Sequence, residues 1–191
     1  MMKPVVAISG PPGSGKTTIA HRLSEATSLR YWSNGEYFRK LAADRGITFQ
    51  EFHKYAESHP EIDKTLDEQA RKEAEKGSVV LDGRLSGWIT RDLASLKVYL
   101  TAPLDVRLQR VMTRDHLKRE EALASIRQRE TSNKQRYMRL YNYDVDNMEI
   151  YDIILNTGTW ELEDVLEILK FALRSHFKDL PIPMEKHYAS D

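Results

Sequence analysis

Four short apolar segments have the pattern of β-strands that are buried on both faces. They are rich in β-branched residues and occupy residues 5–9, 79–81, 98–100 and 150–155. An uninterrupted apolar run of this length favours a fully buried strand, as in a parallel sheet. Helical periodicity follows three of these segments, over residues 17–26, 104–114 and 161–176. The alternation predicts an α/β fold in which helices flank a parallel sheet.

Two further segments interrupt this alternation. Residues 34–77 contain no strand pattern and are helical in composition, and we expect Pro60 in the first turn of a helix. Residues 116–141 are also helical and are dense in arginine. The predicted organisation is one domain over residues 1–178, with its core in 1–33, 78–115 and 142–178, two helical inserts, and an irregular tail over 179–191.

Composition limits the class of protein. The chain has 191 residues, which suits one domain, and 40% of them are hydrophobic. It contains no cysteine, so disulfides, thiolate zinc sites and cysteine nucleophiles are excluded. No apolar run approaches the roughly 20 residues of a membrane-spanning helix, and the first residues lack the longer apolar stretch of a signal peptide. We expect a cytoplasmic protein without a membrane partner.

Charge is unevenly distributed along a chain whose formal net charge is zero. Residues 103–141 hold ten lysines and arginines against five acidic residues, and the remainder carries the opposite excess. A local basic stretch in a neutral protein favours a small anionic ligand over an extended nucleic-acid surface. The alternative is a solvated helix face, which is the usual meaning of a charge run.

A complete phosphate-binding loop follows the first predicted strand. The sequence Gly10-Pro11-Pro12-Gly13-Ser14-Gly15-Lys16-Thr17 satisfies the pattern G-x-x-x-x-G-K-[ST]. Its glycines let backbone N–H groups curl around an anion at the start of a helix. We expect Lys16 to contact the β- and γ-phosphates and the Thr17 hydroxyl to bind Mg²⁺. The strand–loop–helix context predicts nucleotide binding.

GTPases, ATPase motors and small-molecule kinases share this loop. A guanine-specific GTPase would carry the motif N-K-x-D, whereas Asn133-Lys134 is followed here by Gln135-Arg136. The chain is also short for a motor. A small-molecule kinase fits best, and such an enzyme needs a second site for its acceptor.

Three groups of residues predict a phosphorylated acceptor beside the donor. Gly35 and Arg39 lie after Ser33 at the start of a helix, within reach of a second phosphate. Asp82 and Arg84 follow a buried strand, and ligands of open α/β sheets bind at that carboxyl edge. The third group consists of the arginines Arg107, Arg110, Arg129 and Arg136. The last two are seven residues apart, which keeps them on one helix face. The alternative for any isolated arginine is a solvent-exposed position.

This combination resembles the P-loop nucleoside-monophosphate kinases, and among them the archaeal type of cytidylate kinase. The resemblance runs from the phosphate loop to about residue 172. The motifs that carry it are Ser33-Asn-Gly-Glu-Tyr-Phe-Arg39, Ser58-His-Pro-Glu-Ile-Asp63, Asp82-Gly-Arg-Leu-Ser-Gly-Trp88, Arg129-Glu130, Arg136-Tyr137 and Ile150-Tyr-Asp152. It implies a P-loop NTPase-type sheet, with residues 34–77 as an acceptor-binding insert and residues 116–141 as a lid.

The resemblance also implies roles for individual residues. The catalytic residues would be Lys16, Arg84, Arg129 and Arg136. ATP would be bound by residues 10–17, Thr18 and Arg110. The acceptor would be bound by Ser33, Gly35, Arg39, Asp82, Arg84 and Gly87. Thr17 would bind Mg²⁺; Asp82 would face either the Mg²⁺ shell or the acceptor nucleoside, and could also simply cap a turn.

The expected function is reversible transfer of the γ-phosphoryl group of ATP to CMP, and to dCMP, by a monomeric enzyme. An α-phosphate oxygen is already ionised at neutral pH, so the reaction needs alignment and charge neutralisation more than a general base. Two alternatives remain open: another small-molecule P-loop kinase, such as an adenylate or shikimate kinase, and a nucleotide-binding regulator without catalysis. The zero net charge disfavours a nucleic-acid partner.

Overall fold

The computed structural model describes residues 3–178 and Ile182. Its strands are β1 (Val5–Ser9), β2 (Arg30–Ser33), β3 (Val79–Asp82), β4 (Leu96–Thr101) and β5 (Ile153–Asn156). They form one sheet in the order β2-β3-β1-β4-β5, and every neighbouring pair is parallel. The predicted parallel sheet is therefore confirmed, and all its strands end at one edge.

Helices connect the strands and cover the sheet. They are α1 (Lys16–Thr27), α2 (Asn34–Ala43), α3 (Phe49–Glu57), α4 (Pro60–Lys76), α5 (Ser86–Ile89), α6 (Leu104–Asp115), α7 (Arg119–Tyr141) and α8 (Leu162–His176). Pro60 is the first residue of α4, as the sequence predicted. The segment predicted as helical over residues 116–141 is mostly one continuous helix of 23 residues.

The structure differs from the sequence-based prediction at two strands. β2 was not predicted, because it is an edge strand whose first residue is exposed and whose next two are half-buried, so it carries no apolar run. The strand predicted over residues 150–155 begins at Ile153. The chain bends at Asp152, where the side-chain Oδ2 accepts a hydrogen bond from the Lys97 N–H at 2.7 Å.

The main core fixes the first helix against the sheet. Ile8 and Leu100 of the central strands pack with Leu23 of α1 and with Leu169 and Leu173 of α8, and all five are fully buried. Burying one leucine contributes about 1.5–3 kcal/mol. This packing holds the start of α1, and with it the glycine-rich loop, at the carboxyl edge of the sheet.

Two smaller clusters hold helices over the same edge. Phe38, Phe52 and Leu66 join α2 and α3 to the first half of α4, and Phe52 is fully buried. Val111 and Ile126 join α6 to α7. The sheet edge therefore faces a space that is bounded by these two groups of helices, and a further cluster that includes Ala70 of α4 and Tyr137 of α7 joins the two groups.

The predicted irregular tail, residues 179–191, lies outside the described residues except for Ile182, which is buried in the main core. Within residues 3–178, no helix combines the length and the apolar character needed to span a membrane.

Candidate functional site

The loop between β1 and α1 leaves the first turn of α1 open. Gly13 has a φ of +79°, and a Cβ at this position would lie 2.6 Å from the backbone oxygen of Arg107. Gly15 is the N-cap of α1 and has a φ of 83°, with no side-chain hydrogen bond to the helix N–H groups. Free N–H groups and the helix dipole together favour an anion at this point.

Lys16 is held inside this loop. Its Nζ donates a hydrogen bond to the Pro11 backbone oxygen at 2.9 Å. Burial lowers the pKa of Lys16 to about 7; Asp82 opposes this change, while Arg84 and Arg129 add to it. A bound phosphate would act in the opposite direction, because a nearby anion favours the charged form.

Asp82 is the meeting point of three hydroxyl groups. It ends β3, beside Ser33 at the end of β2. Its Oδ2 accepts hydrogen bonds from Thr17 at 2.7 Å, from Ser33 at 3.2 Å and from Tyr31 at 3.4 Å. Thr17 and Asp82 thus place a hydroxyl and a carboxylate oxygen together next to the loop.

A cleft of about 860 Å³ extends from the loop to the helices α2–α4 and α7. The predicted site residues that line it are Pro12, Gly13, Gly15, Lys16, Thr17, Thr18, Gly35, Arg39, Asp82, Arg84, Arg110, Arg129 and Arg136. The structure therefore brings together residues from five separate stretches of the sequence. Their cationic side chains make the cleft suitable for polyanionic ligands.

Arg84 and Arg129 concentrate positive charge in the middle of the cleft. The Arg84 Nη1 donates a hydrogen bond to the backbone oxygen of Arg129. Burial lowers the pKa of Arg84 to about 10. Burial, followed by the repulsion of Arg84, lowers the pKa of Arg129 to about 9. Because both charges are partly desolvated and close together, an anion placed between them would be strongly stabilised.

Arg39 and Arg129 lie against the same aromatic ring. The guanidinium carbon of Arg39 is 4.9 Å from the centre of the Phe49 ring, and that of Arg129 is 5.6 Å from it. Phe49 begins α3, whereas Arg129 lies on α7. This ring is therefore a contact between the two groups of helices that face the cleft.

Arg107 and Arg110 brace the loop from α6. Arg110 donates hydrogen bonds to Thr157, at 2.8 Å to Oγ1 and 2.7 Å to the backbone oxygen, and to the Gly13 oxygen at 3.3 Å. Arg107 donates to the Pro12 oxygen at 3.2 Å and forms an ion pair with Glu130 at 2.6 Å. Arg110 lines the cleft, whereas Arg107 does not.

Five predicted residues do not line the cleft: Gly10, Pro11, Ser14, Ser33 and Gly87. The first three complete the turn of the loop, and Ser33 caps α2 by accepting a hydrogen bond from the Glu36 N–H at 3.3 Å. Gly87 is packed against the protein interior, where a Cβ would lie 2.6 Å from the Tyr151 ring. Close packing explains this glycine without a ligand contact.

Arg136 lies on α7, within the segment expected to form the lid, and lines the cleft. Its side chain is buried and forms an ion pair with Asp63, at 3.3 Å between Nε and Oδ2. Its Nη2 also donates to Asn133 Oδ1 at 2.6 Å. Arg136 thus lies at the end of the cleft formed by α4, paired with a carboxylate.

Sequence reasoning missed Arg114, which also lines the cleft. It lies one helical turn after Arg110 on α6, so the spacing already placed it on the same face. Its guanidinium forms a two-point ion pair with Asp115, at 2.7 Å for both contacts. Asp63 ends one of the motifs that carried the family resemblance, but sequence reasoning gave it no role in the site.

Comparison with known proteins gives consistent results at the level of sequence. A family described as the cytidylate kinase-like family matches residues 5–159. The cytidylate kinase of Pyrobaculum islandicum is 44% identical over 164 residues, which are 86% of this chain and 89% of that protein. The cytidylate kinase of Staphylothermus marinus is 40% identical over 175 residues, which are 92% of this chain and 99% of that protein.

Solved structures share the fold at lower identity. An uncharacterized protein from Eubacterium ventriosum has a TM-score of 0.70 and 21% identity, over 91% of this chain and 99% of that one. The shikimate kinase from Acinetobacter baumannii, solved with shikimate, has a TM-score of 0.60 and 19% identity, over 92% of this chain and 96% of that one. These likenesses show a common α/β kinase fold.

Proposed function

The chain belongs to the cytidylate kinase-like family, and on this premise we propose that it transfers the γ-phosphoryl group of ATP to CMP, and to dCMP, giving ADP and CDP or dCDP. The observation that carries the proposal is the convergence of Lys16, Arg84 and Arg129 in one cleft beside the phosphate loop. Three desolvated cations suit the meeting of two phosphorylated molecules.

The reaction joins two polyanions, so repulsion is the main barrier to bringing them together. An α-phosphate oxygen of CMP attacks the γ-phosphorus, the bond to the β-phosphate bridging oxygen breaks, and ADP leaves with that electron pair. Lys16 and the loop N–H groups hold the donor phosphates, and Arg84 and Arg129 stabilise charge between donor and acceptor. Loss of one such contact costs about 2–4 kcal/mol of barrier.

The oxygen atoms next to the loop suit a magnesium ion. Thr17 offers a hydroxyl 2.7 Å from the Asp82 carboxylate. Mg²⁺ prefers oxygen ligands and keeps several waters, so one hydroxyl, one carboxylate and phosphate oxygens form a suitable set. Among residues 3–178, no group of three or more His, Cys, Asp and Glu side chains could hold a metal by itself. Mg²⁺ would neutralise phosphate charge, with Thr17 and Asp82 positioning it.

The acceptor would lie between the sheet edge and residues 34–77. Gly35 leaves space beside Arg39, whose Nη1 would lie 3.8 Å from a Cβ at that glycine. Arg39 and Arg84 would hold the acceptor phosphate, and Ser33 would position Asp82. Residues 116–141 would act as the lid, because α7 supplies Arg129 to the cleft. Closure of these segments would exclude water as a competing acceptor.

A cytoplasmic monomer that acts on small nucleotides, without a nucleic-acid partner, is part of the same proposal. Sedimentation of the purified chain tests the monomer directly. A mass near twice the 22.2 kDa of one chain would contradict it.

An acceptor panel tests the proposed activity. ADP release is measured with ATP and Mg²⁺ in the presence of CMP, dCMP, UMP, AMP, GMP, dTMP or shikimate. We expect CMP and dCMP to give the highest kcat/KM. Preference for AMP or shikimate would refute the acceptor assignment, and the absence of any acceptor-dependent ADP release would refute the kinase assignment.

A further inference from the structure

One guanidinium group joins the phosphate loop to helix α7. Arg107 lies near the start of α6, and its side chain is only 11% exposed. Its Nε donates a hydrogen bond to the Ala102 backbone oxygen at 3.1 Å, and its Nη1 donates to the Pro12 backbone oxygen at 3.2 Å. The same Nη1 forms the ion pair with Glu130 of α7 at 2.6 Å. The segment after β4, the phosphate loop and α7 therefore meet at one side chain.

The phosphate loop also lies directly against the backbone of Arg107. A Cβ at Gly13 would be 2.6 Å from the Arg107 backbone oxygen and 2.9 Å from its Cα atom. Only a residue without a side chain can pack this closely. The loop and the start of α6 therefore hold each other in place, and the Arg107 side chain extends from this fixed point towards α7.

On α7, Glu130 directly follows Arg129, which is one of the arginines of the cleft. Arg84 donates a hydrogen bond to the backbone oxygen of Arg129, so side chains that follow β3 and β4 hold the same turn of α7. The Arg129 guanidinium itself makes no hydrogen bond or ion pair within residues 3–178, and it contacts the ring of Phe49. Its location in the cleft therefore depends on how this turn of the helix is held.

The ion pair between Arg107 and Glu130 adds little to the packing of the two helices. Val111 and Ile126 already join α6 to α7 through apolar contacts. The Glu130 side chain is 40% exposed, and ion pairs at such positions contribute little to stability. A second ion pair, between Asp105 of α6 and Arg119 of α7, is exposed and lies outside the cleft. It provides a comparison for an ion pair that joins the same helices without touching the loop.

We propose that Arg107 and Glu130 are positioning residues, which hold Arg129 at a fixed place relative to the phosphate loop and act on phosphoryl transfer through it. The proposal rests on the phosphoryl transfer proposed above, and it applies to whichever acceptor the chain uses. Neither Arg107 nor Glu130 lines the cleft. Arg129 must meet charge that develops between donor and acceptor, and a small displacement of such a group slows the reaction strongly.

A positioning role and a simple effect of charge predict opposite results when Glu130 is lost. Removal of the carboxylate makes the neighbouring cleft more positive, and a more positive potential binds phosphate more tightly. An effect of charge alone would therefore strengthen substrate binding and leave transfer as fast or faster. Loss of a positioning contact slows transfer, because Arg129 is no longer held where the charge develops.

The first experiment removes the half-exposed partner of the ion pair. Glu130→Ala should lower kcat for ADP release roughly 5- to 30-fold and change the KM for ATP by less than about twofold. Glu130→Gln keeps a neutral acceptor for Arg107 and should lose less. Asp105→Asn, in the exposed ion pair with Arg119, is the matched control and should keep the kcat of the wild-type chain. An unchanged or higher kcat in Glu130→Ala would overturn the proposal.

The second experiment tests whether the loss passes through Arg129. The double variant Arg129→Ala/Glu130→Ala should be no more than about twofold slower than Arg129→Ala alone. The same fold-loss in both backgrounds would show that Glu130 acts independently and would refute the inference. Arg107→Gln and Glu130→Ala should likewise be non-additive. If Arg107→Gln fails to fold, the cycle between Glu130 and Arg129 still decides.

Thermal unfolding separates positioning from a loss of folded protein. Glu130→Ala and Asp105→Asn should have Tm values within about 3 °C of each other, because both remove an ion pair that is at least partly exposed. A fall in kcat that matched the fraction of unfolded Glu130→Ala would count against the proposal.

The outcomes also separate this inference from the activity on which it rests. If the wild-type chain prefers an acceptor other than CMP, both experiments are carried out with that acceptor, and the inference is decided in the same way. If the wild-type chain shows no acceptor-dependent ADP release, the proposed activity fails and the inference fails with it. Loss of the kinetic effect of Glu130→Ala in an active wild-type background removes the inference alone.

Discussion

The two ends of the cleft hold their positive charges in opposite ways. At the loop end, Lys16, Arg84 and Arg129 lie close together, and burial first of all lowers their pKa values to about 7, about 10 and about 9. At the other end, Arg136 is matched by the carboxylate of Asp63. An excess of desolvated cations favours any polyanion, whereas a neutral pair selects by its pattern of donors and acceptors. The comparison teaches that one cleft combines an unbalanced cluster of buried cations with a buried pair of opposite charges.

The largest expected effect comes from removing charge at the loop end. Lys16→Met should lower kcat by roughly 10²–10³-fold, because about 3–4 kcal/mol of stabilisation of the transferring phosphoryl group is lost. The ratio of kcat/KM for CMP over UMP should stay the same, which steady-state assays on both acceptors measure. Lys72→Met, at an exposed position of α4, is the control. Full turnover by Lys16→Met would refute the assignment of the loop.

A substitution of Arg129 tests whether this arginine, in the middle of the cleft, acts on phosphate as Lys16 does. Arg129→Ala should lower kcat/KM by about 2–3 kcal/mol, or roughly 30–150-fold, for CMP and UMP alike. Arg127→Ala removes an exposed arginine from the same helix and should have little effect. A loss with CMP alone would instead indicate that Arg129 contacts the acceptor base and would contradict this assignment.

A substitution of Asp82 tests the proposed magnesium site at the loop end of the cleft. Asp82→Asn should raise the Mg²⁺ concentration for half-maximal activity by roughly 10–100-fold, as for other groups that position a metal. Titration of activity with MgCl₂ at fixed ATP measures it. Asp105→Asn, which removes a carboxylate from an exposed ion pair with Arg119, is the control. An unchanged Mg²⁺ requirement would contradict a role of Asp82 in the Mg²⁺ shell and favour a contact with the acceptor nucleoside.

The smallest effect is a proton taken up on ATP binding. Burial lowers the pKa of Lys16 to about 7, so at pH 8 its amine is mostly neutral. Bound phosphate favours the charged form and raises that pKa, so protons are bound at pH 8. Calorimetry in buffers of different ionisation enthalpy should show an uptake of up to about one proton, lost in Lys16→Met. Binding enthalpies that do not depend on the buffer would contradict it.

Contiguous features of the fold were predictable, because each follows from local sequence. The loop at residues 10–17 and the buried strands around it depend on glycine positions and apolar runs that the chain displays directly. β2 was missed because an edge strand needs few apolar residues, and Arg30 at its start is held by Glu73 and the Gly77 oxygen. Whether this segment forms a strand therefore depends on partners that are distant in the sequence.

The same distinction applies to the site. Lys16, Thr17 and Asp82 follow from motifs at strand ends, and the structure brings them together. The partnership of Asp63 with Arg136 joins residues 73 positions apart on two helices, and no local pattern encodes which acidic residue meets which arginine. Tertiary packing decides that, through clusters such as the one around Phe52.

The separate cluster around Phe52 has a consequence for hydrogen exchange. Because α2, α3 and the first half of α4 share a small core that is distinct from the one beneath α1 and α8, they form a natural unit of sub-global opening. Their amide protons should exchange through this opening, well before those of β1 and β4. The free energy of this local opening can then change without an equal change in the free energy of unfolding of the whole sheet.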